Sequence, residues 1–202
     1  MSQNKPIDLK IILLGECGVG KTNIIGRFID DKFESNSKST SGACFSSKKV
    51  IKNGKLYRLN MWDTGGQEMY RSVTKLTLNE ANIVLLVYSI TDKHSFDELN
   101  YWLDTAIENC SKRLLVAIVG NKIDLFNNEK VTEKQGKAYA KQTNAEFFLV
   151  SAKEDKEGID NMLDKLLSKY IDNFLDGNNT PKSSITINNA ENNKNKVKCC
   201  SK

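Results

Sequence analysis

Two stretches of this chain are apolar at nearly every position: Ile83-Val84-Leu85-Leu86-Val87-Tyr88 and Leu114-Leu115-Val116-Ala117-Ile118-Val119. A strand that is apolar on both sides cannot keep one face in water, so each run has to lie inside a sheet covered on both faces. Amphipathic segments separate the runs. A helical pattern spans Phe96 to about Cys110, with Ser95 placed as its N-cap. The same alternation recurs elsewhere. Lys10–Leu14 is a short buried-type run, and Thr22–Phe28 opens a helix after it. Phe147–Val150 precedes Ile159, Leu163, Leu166, Leu167 and Tyr170, which recur at helical spacing. Thr132 with Gln135 has the form of a capping box for a helix reaching about Gln142. Asn53-Gly54, between Val50–Asn53 and Lys55–Trp62, is a hairpin turn signal that adds one antiparallel strand. The expectation is an α/β fold: a six-stranded, mostly parallel sheet with one antiparallel strand and helices on both faces.

The 202 residues suit one domain and a tail: an extension over 1–7, a domain over 8–176 and a polar tail over 177–202. A hydrophobic content of 39% is enough to build a core. No apolar run approaches the ~20 residues of a membrane-spanning helix. Met1 to Leu9 is polar and lacks the apolar stretch of a secretory signal. Five cysteines without metal-type spacing point to a reducing cytosol. The net charge of +5 is concentrated in residues 177–202, which hold five lysines against one glutamate. A nucleic-acid-binding domain would carry its excess on the folded surface, so no nucleic-acid partner is expected. His94 is the only histidine and stands where a surface helix begins, so no histidine-based catalysis is expected.

The chemistry lies where the strands end. Gly15-Glu16-Cys17-Gly18-Val19-Gly20-Lys21-Thr22 has the G-x-x-x-x-G-K-[ST] form, between a strand and a helix. Such a loop turns backbone N–H groups, here from Cys17 to Asn23, around phosphate oxygens, and the helix N-terminus favours negative charge. Lys21 can reach the β- and γ-phosphates, and the Thr22 hydroxyl can bind Mg²⁺. The loop alone specifies only a nucleoside triphosphate. Asn121-Lys122-Ile123-Asp124 names the base, because the Asp124 carboxylate can accept from N1–H and from the exocyclic amine of guanine, a donor pair that adenine lacks. Ser151-Ala152-Lys153 offers a backbone N–H for guanine O6, and the Lys122 and Lys153 stems can flank the ring. Asp63-Thr64-Gly65-Gly66-Gln67-Glu68 offers Asp63 to Mg²⁺ through water, the Gly66 N–H to a γ-phosphate, and Gln67 to the attacking water.

The order of these four elements over residues 8–175 resembles the Ras superfamily of small GTPases. The detail is most similar to the Rab family: Arg27-Phe28-Ile29-Asp30-Asp31, Met61-Trp62-Asp63, Tyr70-Arg71-Ser72-Val73-Thr74, Val87-Tyr88-Ser89-Ile90-Thr91 and the ending Lys198-Cys199-Cys200-Ser201-Lys202. The resemblance implies a P-loop NTPase G domain that binds GTP or GDP with Mg²⁺, hydrolyses GTP slowly and switches between two states in vesicle trafficking. It implies an exchange factor, a GTPase-activating protein and effectors as partners. By position it makes Thr40 a ligand of Mg²⁺ and of the γ-phosphate, Phe33 an edge-on contact of guanine, and Lys21 and Gln67 the catalytic pair. It also implies that Cys199 and Cys200 receive lipid from the prenylation machinery, placing a monomeric G domain on the cytosolic face of endomembranes.

Three departures from the Rab pattern stand out. Ser41-Gly42-Ala43-Cys44-Phe45 replaces the common Ile-Gly-Val-Asp-Phe, and Thr77-Leu78-Asn79-Glu80-Ala81 replaces an aromatic-rich segment. Phe45 and Trp62 match two members of the family's surface aromatic triad, and Thr77 stands at the third. Gly65 replaces an alanine, so two adjacent glycines add to the entropy cost of ordering the second switch. Each change bears on partner choice or switching rate rather than on nucleotide binding.

Overall fold

The computed structural model describes residues 5–35, 39–66, 75–110 and 113–176. The strands are β1 (Ile7–Leu14), β2 (Ala43–Lys52), β3 (Lys55–Thr64), β4 (Ile83–Ser89), β5 (Leu115–Asn121) and β6 (Glu146–Leu149). They form one sheet in the order β2-β3-β1-β4-β5-β6. Only β2 runs antiparallel to its neighbour, β3; the β1–β3, β1–β4, β4–β5 and β5–β6 pairs are parallel. The helices are α1 (Lys21–Asp30), the short α2 (Lys93–Asp97), α3 (Leu99–Asn109), α4 (Glu133–Gln142) and α5 (Lys156–Tyr170).

The period-2 alternation of side chains along a strand divides the two cores. Leu9, Ile11 and Leu13 of β1, with Ile83, Leu85 and Val87 of β4, point to one side and bury α1 and α5. Ile12 and Leu14, with Val84, Leu86 and Tyr88, point to the other side and bury α3 and α4. Every position of β4 and β5 is buried, which is why both read as unbroken apolar runs.

Local chemistry sets the ends of the elements. Asn53 and Gly54 turn the β2–β3 hairpin with φ of 50° and 70°, the left-handed pair that a type I′ turn requires. Thr132 and Gln135 form the reciprocal capping box at α4, a device worth about 1 kcal/mol.

Several boundaries differ from expectation. β1 begins at Ile7, one residue inside the expected extension, because Ile7 pairs with Tyr57. β2 extends back to Ala43, well beyond Val50. It is an edge strand with one face in solvent, so Ser46, Ser47, Lys48 and Lys49 carry no apolar-run signature. The N-cap ahead of α3 is not Ser95. Asp92 caps α2 by accepting from the His94 N–H, and Ser95 is buried, donating to the Asp92 carbonyl at 2.7 Å and accepting from the Ser89 N–H at 3.1 Å.

The chain leaves β1 toward β3 on one side, and β4 lies on the other. The loop after β1 therefore opens at a topological switch point, the position at which ligands of open α/β sheets bind.

Candidate functional site

A cleft of about 420 Å³ lies at the C-terminal ends of β1, β3, β5 and β6. Cys17, Gly18, Gly20, Lys21, Thr22, Asn23, Phe33, Thr40, Gly66, Asn121, Lys122, Asp124, Ala152 and Lys153 line it. Val19, Asp63 and Ser151 are buried behind that lining. Gln67, Cys199 and Cys200 lie outside the described residues.

The end of the cleft expected to hold phosphate is built on the start of α1. Its N-cap is Gly20, at φ 99°, which supplies no side-chain cap, and its first turn carries no acidic residue. A helix N-terminus leaves N–H groups unpaired and is stabilised by negative charge. Here Lys21 and Thr22 add positive charge and a hydroxyl instead, so an external anion is the natural cap. A side chain at Gly20 is excluded twice, by its left-handed backbone and because a Cβ would lie 2.3 Å from Asn121 Nδ2. Lys21 is 5% exposed and donates to the carbonyls of Gly15 at 2.7 Å and Glu16 at 2.8 Å. Burial pulls its ammonium down to about 8, against the opposing attraction of Asp63. Gly66 presses on the loop so closely that a Cβ would sit 2.4 Å from Cys17 N.

Three oxygens from separate elements meet beside Lys21. Thr22 Oγ1 donates to Asp63 Oδ2 at 2.6 Å, Thr40 Oγ1 donates to the same oxygen at 3.0 Å, and the two hydroxyls are 3.1 Å apart. The other oxygen, Asp63 Oδ1, is buried without a hydrogen-bond partner among the described residues. A buried carboxylate oxygen with an open valence, beside two hydroxyls, fits a hard cation that retains several waters. Thr64 Oγ1 donates to the Leu13 carbonyl at 2.6 Å and locks the end of β3 to the end of β1, which holds Asp63 in place.

The base end is a network of side chains gripping backbone. Asn121 donates through Nδ2 to the Val19 carbonyl at 2.8 Å and accepts at Oδ1 from the Ala152 N–H at 3.0 Å. It thus ties the phosphate loop to the segment after β6. The Ala152 N–H that the sequence offers to guanine O6 is engaged by Asn121 in this structure. Ser151 Oγ donates to Asp124 Oδ1 at 2.6 Å and orients that carboxylate. An ionised carboxylate offers about four lone-pair sites, so capacity for two further donors remains. Asn23, expected at the nucleotide, uses its amide in another way: it donates to the Glu34 carbonyl and accepts from the Glu34 N–H, both at 3.0 Å. That double bond fixes the segment carrying Phe33, which packs against the α1–α5 core and lines the cleft.

Sequence reasoning missed several residues here, among them Ser35, Ser39 and Thr64 of the cleft lining. Leu125 also lines the cleft, and only its place after Asp124 hints at it. Trp102, fully buried in α3, donates from Nε1 to Glu16 Oε1 of the phosphate loop at 3.1 Å across 86 residues. No local signal reveals that pairing. Trp102→Phe removes the bond and is expected to lower stability by about 1–3 kcal/mol. It should also speed GDP release severalfold by loosening the loop, as read by urea titration and stopped-flow release of a fluorescent GDP.

The sequence model of the Ras family matches residues 10–172. The chain belongs to the Ras family. It is similar to a probable Rab-related GTPase of Acanthamoeba polyphaga mimivirus, 39% identical over 162 residues that cover 79% of this chain and 75% of the viral protein. It is 36% identical to the Ras-related protein SEC4 of Saccharomyces cerevisiae over 198 residues, 95% of this chain and 91% of the yeast protein. It is 37% identical to human Ras-related protein Rab-12 over 174 residues, 85% and 69% of the two chains. These matches and the G-domain fold make this Ras-family chain a Rab-type small GTPase. A guanine nucleotide is therefore its ligand, and regulators and effectors are its class of partner.

Proposed function

We propose that the cleft holds GTP or GDP together with one Mg²⁺, and that the γ-phosphate governs the segments carrying Thr40 and Gly66. The meeting of Thr22, Thr40 and Asp63 is the observation that carries this reading. Thr22, Thr40 and, through water, Asp63 hold the ion. When bound, Mg²⁺ neutralises charge on the β- and γ-phosphate oxygens. Lys21 lies on the same oxygens as a buried point charge. The phosphate-loop N–H groups and that of Gly66 surround the remainder. Asp124 reads the guanine edge, while Phe33 and the Lys122 and Lys153 stems border the ring. Loss of the γ-phosphate releases Thr40 and Gly66, and both segments relax.

Gln67, next in sequence to Gly66, positions the attacking water. None of the described residues lining the cleft is an arginine, which fits slow intrinsic turnover completed by an activating protein. Gln67→Leu is expected to lower single-turnover GTP hydrolysis about 10²-fold while leaving GTP affinity near the parent value. An unchanged rate would remove Gln67 from the mechanism, whereas hydrolysis that this variant loses excludes the alternative of a membrane-tethered scaffold that scarcely hydrolyses GTP.

Effectors meet the solvent-facing side of the β2–β3 hairpin. There Phe45, 55% exposed, packs edge-on against Trp62 with ring centres 5.3 Å apart. The Lys10 ammonium lies 5.4 Å from the Trp62 ring centre and donates to the Asn79 carbonyl at 2.8 Å. A lysine thus stands against the aromatic pair, so partner choice differs from that of relatives with three aromatics. No helix among the described residues is long and apolar enough to cross a membrane. Attachment falls to Cys199 and Cys200, modified by the prenylation machinery, with Lys194, Lys196 and Lys198 adding roughly 1 kcal/mol each against an anionic leaflet. The G domain acts as a monomer at that surface.

A further inference from the structure

The segment Arg27–Asp31 resembles its Rab counterpart, yet Arg27 belongs to none of the nucleotide motifs. All three of its guanidinium nitrogens nonetheless donate. Nε donates to the Ala152 carbonyl at 3.0 Å and Nη2 to the Lys153 carbonyl at 2.8 Å. Nη1 donates to the Asp31 backbone carbonyl at 3.1 Å and to Asp31 Oδ1 at 2.9 Å. Asp31 closes α1 in the left-handed conformation, with its N–H on the Arg27 carbonyl, so it aims the fork. The Arg27 side chain is 16% exposed.

Arg27 and Asn121 therefore grip one loop by different backbone groups, the first by the Ala152 and Lys153 carbonyls and the second by the Ala152 N–H. The adjacent Ser151 orients Asp124. Arg27 also lies on the helix whose first residues, Lys21 and Thr22, form the phosphate end, about 9 Å further along at 1.5 Å per residue. One planar guanidinium thus joins the helix proposed to hold phosphate to the loop proposed to read the base. Lysine lacks this fork, because its compact ammonium has no fixed plane of separate nitrogens to reach the two carbonyls and Asp31 together.

We propose that Arg27 is a positioning residue for guanine: it sets the Ser151–Lys153 loop at a fixed spacing from the phosphate end and so contributes to base selectivity. This rests on the base-site reading given under the proposed function. Without the fork, the loop samples more conformations in the free protein, and binding has to order it. The Asp124 contacts with the guanine amine lose most from this, because their geometry depends on Ser151.

The test uses the full chain with Arg27→Met, Arg27→Lys and Asp124→Ala. Release of fluorescent GDP is timed, and GDP competes against IDP, whose base lacks the exocyclic amine. Arg27→Met should release GDP about tenfold faster, the effect of losing charged hydrogen bonds. Its preference for GDP over IDP should fall at least about threefold, the share of such a bond lost to misplacement. Arg27→Lys keeps stem, charge and proximity to Asp31, so it should shift both readings in the same direction even if Arg27→Met folds poorly. Equal loss of GDP and IDP affinity in both variants would overturn the proposal and leave Arg27 as fold support. Unchanged release and unchanged preference would overturn it as well. If Asp124→Ala keeps the full preference for GDP, the base-site reading fails first and the proposal falls with it.

Discussion

Asp124→Ala is expected to bind GDP about 10³-fold more weakly than the parent, since two hydrogen bonds to a charged acceptor contribute roughly 1.5–3 kcal/mol each. The carboxylate is held in place by Ser151 at 2.6 Å, so little is lost in orienting it when the base arrives. Alanine removes both acceptors and leaves the guanine N1–H and amine without partners. The preference for GDP over IDP and over ADP should then largely disappear, because a site built to pair donors gains its selectivity from the cost of leaving them unpaired. Competition against a fluorescent guanine nucleotide measures all three. A loss below tenfold with the preferences intact would show that another group reads the base.

Lys21→Met should reduce GTP affinity by about 10³-fold or more while the domain stays folded. The ammonium is buried and surrounded by carbonyls, so methionine of similar length relieves a desolvation cost in the free protein while depriving the phosphates of their nearest cation. The pH dependence provides a second reading. Burial places the Lys21 titration at about 8, below the 10.5 of an exposed lysine. Below about pH 8 both folded and unfolded chains carry the proton, and the full cost of burying the charge is present. Between about 8 and 10.5 the folded ligand-free chain has lost a proton that the unfolded chain keeps. The Lys21 contribution to stability of the free protein therefore rises with pH in that window, opposite to a lysine held by a salt bridge. Nucleotide binding runs the other way. Phosphates favour the ammonium, so above about pH 8 binding takes up a proton, and affinity falls by up to about tenfold per pH unit. Calorimetry in buffers of different ionisation heat at pH 8.5 should show that uptake in the parent and none from this position in Lys21→Met. Equal proton uptake in both would place the titration on another group.

Much of the fold was legible before any coordinates, because it is specified locally. Short apolar runs such as Ile83–Tyr88, alternating with amphipathic segments, suit central strands, Asn53-Gly54 can adopt the left-handed pair a hairpin needs, and Thr132 with Gln135 satisfies orphan N–H groups within one turn. The phosphate loop was legible for the same reason, since its glycines, lysine and threonine act within eight consecutive residues. Failures came where local signals compete. Ser95 looks like a cap, yet Asp92 three residues earlier takes that role and Ser95 is drawn into the core. The first half of β2 is hidden because an edge strand with one wet face needs no apolar run.

The sequence by itself determined which chemical groups the protein owns and which short segments present them: a glycine-rich G-x-x-x-x-G-K-[ST] loop, an Asp124 proposed to read guanine, a hairpin and strands that are buried. Tertiary structure alone decided which distant groups meet. Thr22 and Asp63, 41 residues apart, share a hydrogen bond only because β1 and β3 are parallel neighbours in register. Glu16 meets Trp102 across 86 residues, and Arg27 meets Ala152 across 125. Such pairings leave no local trace, because they follow from strand order and from the two buried faces of the sheet, which form only when the whole core closes.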